Sequence, residues 1–147
     1  MTIILPNQLV VEAIHSVVIE KFGGKEGILK PKAISSALAR PMHHITYKDC
    51  DLNYICALLL QAIATGHMFV DGNKRTAVFT AMYTYTTNEV ILDSSVNLNK
   101  LLEELVLAVV TEKLTISEIS LRLEVMVDEH SLGIIGRARE KIDNFFS

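Results

Sequence analysis

The chain has 147 residues, an apolar fraction of 50% and a formal charge of −3, which is material for one domain with one continuous core. That charge gives no broad basic footprint, so direct nucleic-acid binding is not expected and any phosphate site has to be focal. Two cysteines, Cys50 and Cys56, fit neither a zinc framework nor a secreted disulfide scaffold and read as free thiols in a reducing compartment. The start lacks the basic region of a signal peptide, and the longest apolar run, Tyr54 to Gly66, is too short to span a bilayer. A cytoplasmic protein with no membrane contact is the expectation.

Leu9, Val10, Ala13, Ile14, Val17, Val18 and Phe22 recur at spacings of three and four, predicting an amphipathic helix from about Asn7 to Gly23-Gly24. After the glycine loop Gly23 to Gly27, Pro31 suits the first turn of a short helix through about Ala39, stopped by Pro41. Met42 to Lys48 reads as loop. Asp49 or Asp51 then caps a helix that is apolar nearly all round from Ile55 to Ala64, hence central and buried, and Gly66 ends it.

His67 to Gly72 forms a tight loop, with Asn73 as cap of a helix carrying Ala77, Val78, Phe79, Ala81, Met82 and Tyr85 and ending near Asn88. Val90-Ile91-Leu92 is the one strand-like run, half of an exposed hairpin or flap, or an edge segment packed on the core. Helices near Leu98 to Thr111 and Ser117 to Asp128 follow. Residues 130–147, with Ile134, Ile135, Ala138, Ile142, Phe145 and Phe146, form a last helix or a docking tail. With no repeat or linker, the fold class is all-α with central buried helices, one domain over 1–147.

Chemistry concentrates in His67-Met-Phe-Val-Asp71-Gly72-Asn73-Lys74-Arg75. A glycine loop entering a helix offers free N–H groups and the positive end of the helix dipole, which suits phosphate. Asn73, Lys74 and Arg75 add side-chain donors, typically about 1.5–3 kcal/mol each when charge-assisted, against about 0.3–1 for the dipole. Gly72 lets the backbone approach a ligand. Asp71 would repel phosphate unless it holds Mg²⁺, an ion commonly bound by one or two carboxylates plus phosphates. Phe69 is an apolar plug. His67, at the end of one buried helix and facing the turn that opens the next, can accept a proton from a Ser, Thr or Tyr hydroxyl of another protein.

Other clusters are weaker. His43-His44 with Asp49, Cys50 and Asp51 lacks a helical ligand spacing and reads as solvated loop. Tyr47, Tyr83 and Tyr85 read as core or rim, and Arg137, Arg139 and Lys141 as a solvated face.

The nine-residue stretch resembles the signature of the Fic/Doc family, His-x-Phe-x-(Asp/Glu)-(Gly/Ala)-Asn-(Gly/Lys)-Arg, at every fixed position. His15, Phe22-Gly23-Gly24, Gly27-Ile28 and Ala37 to Pro41 are similar to the amino-terminal part of death-on-curing (Doc) toxins, so the likeness covers about residues 5–125. It implies an all-α fold with a short β-hairpin flap. It also implies His67 as the catalytic base, Asp71 as metal ligand and Gly72, Asn73, Lys74 and Arg75 as the anion hole, with ATP and Mg²⁺ as co-substrate and cofactor. Lys74 stands where AMP-transferring members usually have Gly. The Doc lineage, with Lys there, transfers the γ-phosphate to a hydroxyl of a translation elongation factor. AMP transfer and a non-catalytic nucleotide- or partner-binding module are the other readings.

Substrate backbone would be held at Gly23 to Lys30 or at Val90 to Leu92. The resemblance further implies a cognate antitoxin whose disordered segment folds over the nucleotide site. Ser120 and Glu124 match part of an inhibitory helix seen in some Fic proteins, but Val125 breaks that pattern, and both are expected as ordinary exposed positions.

Overall fold

A computed structural model describes residues 3–47, 51–93, 96–132 and 142–147. Six helices follow in order: α1 (Gln8–Phe22), α2 (Pro31–Tyr47), α3 (Leu52–Thr65), α4 (Asn73–Thr87), α5 (Val96–Thr111) and α6 (Ile116–His130). The all-α expectation holds: among the described residues extended pairing is confined to two isolated bridges, Ile28 with Phe69 and Leu92 with Ser131. None of these helices is long and apolar enough to cross a membrane.

Local chemistry sets most of the ends. The Asn7 side chain accepts the Val10 N–H at 2.9 Å to start α1, and Gly23, at φ 83°, stops it. Of the two expected caps for α3 it is Asp51 that accepts, from the Asn53 N–H at 3.0 Å; Asp49 and Cys50 lie outside the described residues. Eight α3 residues, Ile55 to Leu60 with Ile63 and Ala64, are buried. This helix packs against α2, α4, α5 and α6 and is the hub of the fold.

Helix α2 departs from expectation, running on through Pro41 to Tyr47. A proline inside a helix costs roughly 3 kcal/mol in exposed settings, so packing has to offset it. Ile34 and Ala37 are buried before the proline, and beyond it Ile45 joins a cluster with Ile55, Leu58 and Leu59 while the His44 ring stacks on Tyr54 at 4.5 Å. Residues expected as solvated loop are therefore helical because α3 gives them a surface to cover.

One further expectation is corrected, and another is met by the second of its two alternatives. Val90 to Leu92 is half-buried and packs against the core as an edge segment, with no hairpin among the described residues. Instead Ile91 and Asp93 pair with the end of α6, through Leu132 N–H to Ile91 O and Asp93 N–H to His130 O, each 2.8 Å. Ser120, expected exposed, is 8% exposed and shares the buried face of α6 with Ile119 and Leu123, whereas Glu124 is exposed. Of the tail, 142–146 forms one helical turn with Ile142, Phe145 and Phe146 exposed; Arg137, Arg139 and Lys141 fall outside the described residues, as does the Tyr47 side chain.

Candidate functional site

Helices α3 and α4 meet through the loop 66–72, and this loop is pinned from three sides. From within, Phe69 is 1% exposed and plugs the core, as its place in the motif suggested. From α4, the Asn73 amide clasps the Phe69 backbone twice, accepting its N–H at 3.1 Å and donating to its carbonyl at 2.9 Å. From α1, the His15 ring lies flat on Phe69, centroids 3.8 Å apart and planes 6° apart, while its Nε2 meets the Asp71 carbonyl at 2.8 Å.

The α1–α2 connection closes over the same loop. Leu29 and Lys30 donate to the Met68 carbonyl at 2.7 and 3.1 Å, and Val70 donates to Gly27 O at 3.0 Å. Residues Gly23 to Lys30 are thus a short extended strap on the motif, not a plain interhelix turn. Glycine suits position 24: its φ of 118° is one that side chains rarely adopt, and a Cβ there, 2.6 Å from Asp71 Oδ2, would push the carboxylate aside.

Gly72, not Asn73, caps α4. It is left-handed at φ 79° and offers no side chain, and a Cβ would press on Ile19 Cδ1 at 3.1 Å. Its N–H donates to Asp71 Oδ1 at 2.8 Å. The first intrahelical bond runs from Thr76 N–H to Gly72 O at 2.9 Å, so the amides of Asn73, Lys74 and Arg75 are those without an intrahelical acceptor. The backbone anion donors therefore sit one residue later than Gly72, and the Asn73 side chain holds the loop rather than facing outward.

That helix end opens into a cavity of about 580 Å³. Asp71, Gly72, Lys74 and Arg75 line one part of it; Phe22 of α1, Val78, Phe79 and Met82 of α4, and Asn99, Glu103, Val106 and Leu107 of α5 line the rest. The Arg75 guanidinium rests over the Phe22 ring, 4.6 Å from its centroid, and Phe22 leans on Phe79 at 5.9 Å. Positive charge and free amides at one end with an apolar wall beyond them suit a ligand carrying both phosphate and a flat hydrophobic group.

Four of the expected site residues are brought together here. His67 is not in the cavity lining. It is exposed, and its φ of 51° places it in the left-handed region, where a non-glycine residue costs roughly 1–2 kcal/mol. Residues held in sparsely populated backbone regions cluster at functional sites. Sequence spacing had not pointed to the cavity contributions of Phe22, Asn99 and Glu103, which come from distant helices; Phe22 had been placed on the apolar face of α1 and in the resemblance, with no role at the site.

A second polar cluster lies in the core. The Tyr85 hydroxyl donates to Asn53 Oδ1 at 2.7 Å, and the Cys56 thiol lies 3.8 Å from Ala81 O. Burial pushes both the Cys56 thiol and the Tyr85 phenol well above their ordinary values. Both therefore stay protonated and serve packing, which agrees with Tyr85 as a core residue. No group of three or more potential metal ligands occurs among the described residues; Asp49 and Cys50, which follow His43-His44 in the sequence, lie outside them.

The part of the chain that carries this site is similar in sequence to known proteins. The model of the Fic/DOC family matches residues 6–85, from the α1 cap through the strap and the whole signature loop to the end of the α4 face. Over 93 residues the chain is 34% identical to the protein kinase doc of Escherichia phage P1, an alignment covering 62% of this chain and 72% of that protein. The chain belongs to the Fic/Doc family, and within it stands close to Doc.

Proposed function

We propose that this protein is a Doc-type toxin that transfers the γ-phosphate of ATP to a Ser or Thr hydroxyl of a target protein, with a translation elongation factor as the target class. The observation that carries the reading is the cavity at the start of α4, where Asp71, Gly72, Lys74 and Arg75 converge. The phosphate chain would lie on the Asn73, Lys74 and Arg75 amides, with the Lys74 and Arg75 side chains supplying most of the affinity. The apolar wall from Val78 to Met82 offers the nucleoside a dry surface.

Asp71 fits a magnesium ion. Its carboxylate lines the cavity, and each oxygen accepts one backbone N–H, from Gly72 at 2.8 Å and Lys25 at 3.3 Å, leaving lone pairs over. Mg²⁺ bound there would neutralise phosphate charge as it develops. In the transfer the acceptor oxygen bonds to the γ-phosphorus as the bond to the β-bridging oxygen breaks, ADP leaves, and His67 takes the hydroxyl proton. Lys74 favours phosphate over AMP transfer, since its side chain adds bulk and charge at the turn where a β–γ unit would otherwise sit. The name of the phage relative, a protein kinase, supports the same choice. A cognate antitoxin with a segment that folds over the cavity would be its partner, in the cytoplasm.

Incubation with a bacterial lysate and ATP labelled at either the α- or the γ-phosphate tests the reading. Label from the γ position alone, on one protein band and with ADP released, is the expected result. Label from the α position would make the protein an AMP transferase. ATP binding with transfer of neither label would make it a binding module.

A further inference from the structure

We propose that His15, a buried residue of α1 outside the signature loop, is the positioning residue that fixes the orientation of the Asp71–Gly72 peptide and, through it, the Asp71 carboxylate beside the free amides that open α4. The inference rests on the phosphate-site reading above and adds a residue to it. His15 is 5% exposed, and its Nε2 meets the Asp71 carbonyl at 2.8 Å, its one polar contact among the described residues. A carbonyl only accepts, so Nε2 carries the hydrogen and donates it.

The need for such a donor follows from Gly72. Glycine occupies either sign of φ about equally well, so the Asp71–Gly72 peptide could turn over by joint rotation about ψ of Asp71 and φ of Gly72. At the observed φ of 79° the amide of that peptide faces Asp71 Oδ1, at 2.8 Å, while its carbonyl faces His15. In the reversed state the carbonyl oxygen would point at the Asp71 carboxylate, which would keep only the Lys25 N–H of its two backbone donors, and the buried His15 donor would be left unmet. His15 thus selects one of two states that glycine by itself leaves nearly equal.

The ring can do this because it is itself immobilised. It lies flat on Phe69, which is 1% exposed and whose N–H and carbonyl are both held by Asn73. Helix α1, the loop and the first residue of α4 therefore form one rigid chain of contacts ending at the Asp71 carboxylate.

Two variants separate hydrogen bonding from packing. His15→Phe keeps a ring against Phe69 and removes the donor; His15→Gln gives up the ring and keeps a donor. For γ-phosphate transfer, KM for Mg·ATP should rise about tenfold in His15→Phe, the size of one net hydrogen bond. The kcat should stay within about threefold, and His15→Gln should recover KM to within about threefold of the unaltered protein. Equal loss in both variants, or no loss in His15→Phe, overturns the role. A readout free of turnover uses ¹⁵N-labelled protein: the Gly72 amide resonance should hold its position in His15→Gln and shift in His15→Phe. If His15→Phe does not fold, the unaltered protein decides, because a two-bond ¹H–¹⁵N spectrum should show the His15 ring protonated at Nε2, and protonation at Nδ1 defeats the proposal. Absence of any phosphate transfer by the unaltered protein, with the Gly72 and His15 signals as expected, would count against the kinase reading and leave the positioning intact.

Discussion

In the proposed transfer His67 would remove the proton and Arg75 would bind phosphate, and their surroundings differ accordingly. His67 is exposed and has a left-handed backbone, so replacing it removes no packing. His67→Ala should therefore lower phosphate transfer by about 10²–10⁴-fold, the usual worth of a general base, with ATP affinity nearly unchanged. A variant as active as the parent, in growth arrest or in label transfer, would rule the base assignment out. Arg75 stands at the cavity with its guanidinium over Phe22, a cation–π contact of roughly 0.5–1 kcal/mol at a half-exposed ring. Its removal should weaken ATP binding itself by about tenfold or more, which titration calorimetry would read; unchanged affinity would mean the phosphates lie elsewhere. The convergence of Asp71, Gly72, Lys74 and Arg75 on one cavity was legible in the sequence because these residues are nearly contiguous, and one loop followed by one helical turn keeps them near each other. His15, Phe22, Asn99 and Glu103 reach the site from α1 and α5, and no local spacing marks a residue whose role is created by the packing of distant helices.

At the level of elements, α1 and α3 could be bounded from sequence because their caps are side chains, Asn7 and Asp51, that satisfy the first amides directly. Helix α2 could not, since the penalty at Pro41 is a local quantity while the burial of Ile45 and the stacking of His44 on Tyr54 are not. Nor could the start of α4, where Asn73 looks like a cap but spends its amide on Phe69, leaving the cap to a glycine with no side chain. Helix ends also show where stability is held back. Just past α5, Lys113 is exposed and left-handed at φ 53°, a conformation that disfavours a Cβ by roughly 1–2 kcal/mol. Glycine suits this position after a helix, although it adds entropy to the unfolded chain. Lys113→Gly should thus raise unfolding free energy by about 0.5–1 kcal/mol in urea titrations, without touching phosphate transfer. A fall in stability would mean that the lysine side chain makes up for its backbone.

For the molecule as a whole, the site depends on α3 although α3 contributes none of the cavity lining. Its buried residues hold α4 on one side and α2, α5 and α6 on others, so the loop between α3 and α4 is placed by the same core that stabilises the fold. Leu60 is fully buried in the main cluster. Leu60→Ala should cost about 2–5 kcal/mol, a large share of the roughly 5–15 kcal/mol typical of a domain. Cys56 reports on this from within, one helical turn earlier on α3: it is fully buried, and burial holds its thiol protonated, so it should alkylate only when the core opens. If the core opens as one unit, a 3 kcal/mol loss at Leu60 should speed Cys56 alkylation by about 100-fold under native conditions. Fragment-ion mass spectrometry can follow Cys56 separately from Cys50, which shares its tryptic peptide. A much smaller acceleration, with the global unfolding free energy reduced as expected, would mean that α3 opens locally around Cys56 without the rest. The loop that carries the site would then rest on a hub able to loosen by itself.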